Sequence, residues 1–355
     1  MLEWFTLRVY DHTPAREQLM LTLLDTFEGL HQEGWVQRFF LQRHWMHGPH
    51  VKVHFQTSEV LSALRARVQP EIQHFFLLPR AKDTLTDAEY LARYSEVARW
   101  EVADEDLLPL YGSKTTFWEP STFRDHRFGN AFVSGLVKQV LSEVQPTLKW
   151  LLTVPASGKI PRAYQLMAGF AFTLGCKPEV SGMPEVATCF ASHAEAFYHN
   201  LPNGEDLRKQ FVLRSQHHQN LLFELTHQVE TRPPLEVRLW MEALSGAYDR
   251  AMHAETLGEF QISTADTYLQ EYTRMPEGMS PKEFTSSPVH RAFQDPTHPI
   301  HQYIQRPEFK ARRLFVNVLY ELLHSAGIRA SERLLLCQFA DSTLQNWRSF
   351  EEVAQ

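Results

Sequence analysis

Residues 38–55, RFFLQRHWMHGPHVKVHF, narrow the possible folds of this chain more than any other segment. Two runs of aromatic, branched and long side chains flank His47-Gly48-Pro49, where glycine and proline set the backbone of a turn. The segment therefore reads as a β-hairpin. A strand sends alternate side chains to opposite faces. Val51, Val53 and Phe55 then point to a core, and His50, Lys52 and His54 point away from it. Trp4 to Tyr10 alternates in the same manner and reads as another strand.

Most of the remainder follows the helical period. Thr13-Pro14 opens a helix with Leu19, Leu23, Phe27 and Leu30 as its apolar stripe, and Gly34 closes it. A short amphipathic helix runs from Ser58 to Val68. Thr86 and Glu89 form a capping box for a helix with Leu91, Tyr94, Val97 and Ala98 on one face. LLPLYGSKTTFWEPSTFRDHRFGN reads as irregular. Helices are expected at 131–152, 163–175, 185–199, 205–231, 233–256, 308–325 and 331–348, with a long ordered loop from Met275 to Pro307. Strands early and helices late predict an α+β fold, a small antiparallel sheet with a mainly helical remainder. The expectation is a single domain over 1–355, β-rich through 56 and mainly helical from 57.

Composition excludes several function classes. With 35 basic and 42 acidic residues the net charge is −7, which lacks the basic footprint of broad nucleic-acid binding. Cys176, Cys189 and Cys337 lie far apart and read as reduced thiols. The opening MLEWFTLRVYDHT carries charge too early for a signal peptide, and no apolar stretch approaches the ~20 residues that span a bilayer. A cytoplasmic protein is expected. Dinucleotide, P-loop, zinc-protease and serine-hydrolase motifs are missing from the sequence.

Four candidates remain. His50, Lys52 and His54 on one strand face can hold an anion or a developing oxyanion, although a solvated face is the commoner meaning of such a pattern. His44, His47 and His50 straddle a turn, where they read as polar turn residues before metal ligands. Arg127, beside Phe128-Gly129 at a helix entry, fits a substrate clamp and equally an ordinary surface arginine. Tyr320 sits in the apolar helix 308–325, where a tyrosine is usually core; in a cleft it serves as a proton donor.

Four blocks in one order, EWFTLRVY, FFLQRHWMHGPHVKVHF, FRDHRFGN and NVLYELLHSAGIRASERLLL, carry a resemblance. The chain resembles the C-terminal, glutamate-eliminating domain of lantibiotic dehydratases, in the stand-alone form found among thiopeptide-type bacteriocin biosynthesis proteins. Arg43 with Gly48-Pro49-His50 is the most specific block, and Arg43 and His50 are its substrate-binding candidates. In that family the strand after Pro-His carries two arginines at alternate positions, which here hold Lys52 and His54. Arg127 matches a retained arginine, and Tyr320 falls where the eliminating members have a catalytic histidine. These departures resemble the family's other branch, the stand-alone pyridine synthases.

The resemblance implies a cofactor-free lyase or cyclase acting on a precursor peptide with its leader, alongside other biosynthetic subunits. Tyr320 and His54 would then move protons, and Lys52 and Arg127 would steady carbonyl oxygens. One implied reaction joins two dehydroalanines into a pyridine with loss of water and leader peptide. Another eliminates glutamate from glutamylated Ser or Thr, and a non-catalytic leader-binding scaffold is the third implication. Leader docking as an added strand at a sheet edge is expected.

Overall fold

The structure is a computed structural model that describes residues 2–79, 85–101, 103, 106–175, 185–263, 287–344 and 347. By compactness the chain forms two units. The first holds Met1–Gln145, Ser263–Glu283 and Ser325–Gly327, and the second holds Pro146–Ile262, Phe284–His324 and Ile328–Gln355.

The first unit is built on a four-stranded antiparallel sheet of order β2-β3-β1-β4. Its strands are β1 (Glu3–Tyr10), β2 (Arg38–His44), β3 (His50–Thr57) and β4 (Thr116–Pro120). The expected hairpin is β2–β3. Its five-residue connection needs left-handed backbone at His47 (φ 56°) and Gly48 (φ 114°). A Cβ at Gly48 would stand 2.8 Å from His12 Nε2, so glycine answers both the angle and the crowding. The hairpin tip is tied down from outside: Tyr90 donates its hydroxyl to the Trp45 carbonyl, and Trp45 Nε1 donates to Glu101.

One sheet face carries Leu7, Val9, Val51, Val53 and Phe55 against α1 (Arg16–Gln32), whose Leu19, Leu23, Phe27 and Leu30 are buried as the spacing predicts. The helix begins after Pro14 rather than on it. The helix expected at 58–68 extends as α2 (Leu61–Leu77), and α3 (Asp87–Glu101) carries the Thr86–Glu89 capping box as expected. A 3₁₀ turn, Asp125–Arg127, leads into α4 (Ala131–Glu143), which Asn130 caps by accepting the Val133 N–H.

Two expectations need correction within this unit. Thr116–Pro120 was to be irregular, yet it pairs along β1, so the β structure extends past residue 56. The stretch expected as one helix from 131 to 152 breaks at Val144, ahead of Pro146, and resumes as α5 (Gln145–Leu152). Pro146 has no N–H to bond back to residue 142 and its ring crowds that carbonyl, so the helix breaks ahead of it and restarts with the proline in its first turn.

The second unit contains most of α5 and then α6 (Ala156–Leu174), α7 (Glu185–Asn200), α8 (Gly204–His217), α9 (Gln219–Thr231) and α10 (Leu235–Thr256). It continues with α11 (Pro288–Gln294), α12 (Pro299–Ile304), α13 (Pro307–Ser325, whose last residue belongs to the first unit) and α14 (Ala330–Leu344). Its core includes Tyr164, Phe170, Phe190, Trp240 and Phe315. Gly169 lets α6 and α10 approach closely: a Cβ there would stand 3.1 Å from Val237 and Met241.

The helix expected at 205–231 is two helices, parted at His218 in an exposed polar run. The expected loop 275–307 holds α11 and α12 where it is described, and its residues 275–286 lie outside the described residues, as does Cys176. Among the described residues no helix is long and apolar enough to cross a membrane. The architecture is α+β, as expected.

Candidate functional site

The expected alternation along β3 holds, but its second face is not solvated. His50, Lys52 and His54 are buried together with the cross-strand neighbours that the register sets beside them. Lys52 stands between Gln42 of β2 and Arg8 of β1. His54 stands between Phe40 and Thr6, and His50 between His44 and Tyr10. The face is thus a polar layer inside the first unit, with two cations in its middle row.

Its hydrogen bonds run in one direction. The Thr122 N–H donates to Thr6 Oγ1, which stands 3.0 Å from His54 Nδ1. His54 Nε2 is 3.0 Å from Gln42 Oε1. An amide oxygen accepts only, so Nε2 carries the proton and Nδ1 accepts from Thr6. The ring stacks on Phe40 at 4.8 Å between centroids, with Phe123 edge-on at 5.5 Å. Burial first, and Lys52 second, hold His54 well below the ordinary imidazole range, so it is neutral.

His50 is depressed by the same two causes. Its Nδ1 lies 2.8 Å from the Gly48 carbonyl and so carries the proton. Among the described residues its buried Nε2 makes no hydrogen bond. His44 accepts the Met46 N–H at Nδ1, and His47 Nδ1 reaches the Pro109 carbonyl at 3.2 Å. No metal-binding group of three ligands occurs among the described residues.

Arg8 and Glu119 belong to this face and were not singled out from the sequence. They form an ion pair across β1 and β4. Burial works against the Arg8 charge, yet Glu119 and Tyr10 outweigh it and hold the guanidinium above its ordinary value. Burial also pushes Tyr10 up to about 12, so it stays a neutral phenol. The signal was present: Arg8 alternates with Leu7 and Val9, and a charge in mid-strand on the face of Lys52 is uncommon unless paired.

The other residues singled out from the sequence lie elsewhere. Arg43 is on the opposite sheet face, where its Nε donates to the Ser325 carbonyl at 2.8 Å and its Nη2 lies 3.3 Å from Glu17. Burial lowers its pKa, with Glu17 opposing. Arg127 ends the 3₁₀ turn and donates Nη2 to the Glu101 carbonyl at 2.8 Å. Beside it, Asp125 takes Lys138 Nζ at 2.7 Å, and Phe128 stacks on Phe123.

Tyr320 belongs to the second unit. It is half-buried on α13, with its hydroxyl 3.0 Å from Cys337 Sγ and its ring 5.1 Å from the His193 ring. No sequence signal joins these three, because they come from separate helices.

Residues 4–344 match the family model described as the lantibiotic biosynthesis dehydratase C-terminal region. No curated protein matches the sequence. Among solved structures, the pyridine synthase TbtD from thiomuracin biosynthesis is 20% identical, with a TM-score of 0.70 over 99% of each chain. TsrL is 16% identical, with a TM-score of 0.66 over 99% of this chain and 95% of that one. At these identities the likeness shows a shared fold.

Proposed function

The chain belongs to the lantibiotic biosynthesis dehydratase C-terminal family, and from that premise we propose that it is a peptide-tailoring cyclase of the pyridine-synthase kind. Its substrate is a precursor peptide bearing two dehydroalanines, which it joins into a pyridine-type macrocycle with loss of water and of the leader peptide.

The state of His54 carries this reading. Glutamate elimination expels a carboxylate and asks for cations along β3, where the eliminating members have two arginines. Here one of those positions holds an imidazole that is buried, hydrogen-bonded at both nitrogens and neutral. It offers no charge to a glutamate. Cyclisation needs neutral proton donors and firm positioning, which such a layer supplies.

In this reading Tyr320 transfers protons at the leaving groups, and Lys52 and Arg127 steady carbonyl oxygens. His54, the acid–base partner expected from the sequence, holds Gln42 beside Lys52. Arg43 and His50 hold the β2–β3 hairpin in place. The leader adds as a strand along β4, since the β2 edge is engaged at its centre by Gln145.

The test is mass spectrometry of the purified protein with two versions of one precursor peptide. Release of leader and formation of a smaller cyclised core from the dehydroalanine version supports cyclisation. Loss of glutamate from a glutamylated version overturns it in favour of elimination. Binding with no change of mass in either version points to a scaffold.

A further inference from the structure

Cys337 stands on α14 with 1% of its surface exposed. That helix packs against α6 and α7 and buries Leu334, Leu336, Phe339 and Ala340. It points at the one side chain of α13 that we place in proton transfer, 3.0 Å from the Tyr320 hydroxyl. Groups facing the pair among the described residues include His193 and Tyr198 from α7, and Arg333 and Asp341 from α14. Arg333 lies with its guanidinium carbon 5.9 Å from the Tyr320 ring centroid and donates to the Tyr320 carbonyl at 3.4 Å.

Burial pushes the Cys337 thiol up to about 12, with Tyr320 and Arg333 opposing. The thiol therefore keeps its proton near neutral pH and is an available donor. We propose that Cys337 is a positioning residue for Tyr320, its S–H meeting the charge that develops on the phenol oxygen as that oxygen gives up its proton. The inference rests on Tyr320 acting in proton transfer. The thiol proton stays on sulfur throughout; the proton that moves is that of the phenol, which passes to the departing oxygen of the substrate.

The experiment separates the two ideas because it reads Tyr320 directly. Ultraviolet difference absorbance against Tyr320→Phe isolates the ionisation of this one tyrosine in the intact chain. The titration is then repeated in Cys337→Val, which fills the space without a donor, and in Cys337→Ala. Losing one neutral hydrogen bond should make Tyr320 about three- to tenfold weaker as an acid. Cys337→Ser, which restores a donor, should recover most of the loss.

An unchanged titration in a folded Val or Ala variant overturns the inference, whatever the turnover does. A weakened acid in those variants, recovered by serine, upholds it. Full turnover in Tyr320→Phe overturns the proton-transfer reading on which the inference rests, whatever the titration shows.

Discussion

Tyr320→Phe takes away one oxygen and keeps the ring beside His193, so the packing of α13 is preserved. Turnover should fall by about 100- to 10,000-fold with the melting temperature nearly unchanged, read by timed mass spectrometry and circular dichroism. Full turnover would return the residue to the core. Gly327 makes a second single-residue case. Its φ is 86°, and a Cβ there would stand 2.8 Å from the Arg43 guanidinium. Gly327→Ala should cost about 1–3 kcal/mol in urea unfolding. Gly29→Ala, in open space on α1, is the control and should leave stability equal or higher. Residues of this kind divide by how far their partners lie along the chain. The turn glycine at 48 is legible because its neighbours in sequence announce it. Nothing in the sequence announces that Arg43 meets Ser325, or that Tyr320 meets Cys337.

Elements were legible where one local pattern was enough. The α1 stripe and the Thr86–Glu89 box needed only helical spacing and a cap, and both stand as expected. β4 was not legible, because TFWEP is short and ends in proline; it becomes a strand by pairing with β1. The 205–231 helix parts at His218, where residues 216–221 are exposed. The edge of the sheet gives the prediction at this scale. The Leu41 N–H, buried at the centre of edge strand β2, donates to Gln145 Oε1, and Gln145 Nε2 donates to the Leu141 carbonyl. A side chain thus replaces the missing neighbouring strand and blunts the edge. Gln145→Leu keeps the bulk but orphans a buried N–H, so it should destabilise by about 1–3 kcal/mol. Equal denaturant midpoints for this variant and the parent would mean that the N–H finds another partner.

The polar layer makes the whole molecule sensitive to acid. His50 and His54 have no exposed surface and are held well below the ordinary imidazole value, and partly exposed His44 shifts in the same direction. Above about pH 6.5 neither the folded nor the unfolded chain holds these protons, and their contribution to stability is complete. Below it the unfolded chain takes up protons that the folded sheet refuses, so stability falls as pH falls. Urea unfolding at about pH 7.5 and about pH 5.5 should show the loss, with about three protons taken up on unfolding at the lower pH. His54→Asn should remove about one of them; an unaltered pH slope would mean that His54 is charged in the folded state. The sequence told that these histidines share a face, but it did not tell that the face is covered, since the covering aromatics such as Phe123 come from later in the chain. The contact between Arg43 and the Ser325 carbonyl reaches across 282 positions. On a ribosome the hairpin emerges 282 residues before the carbonyl that receives its arginine. Until that carbonyl is made the guanidinium has its near neighbour Glu17, and this tie across the first unit waits on the residues between.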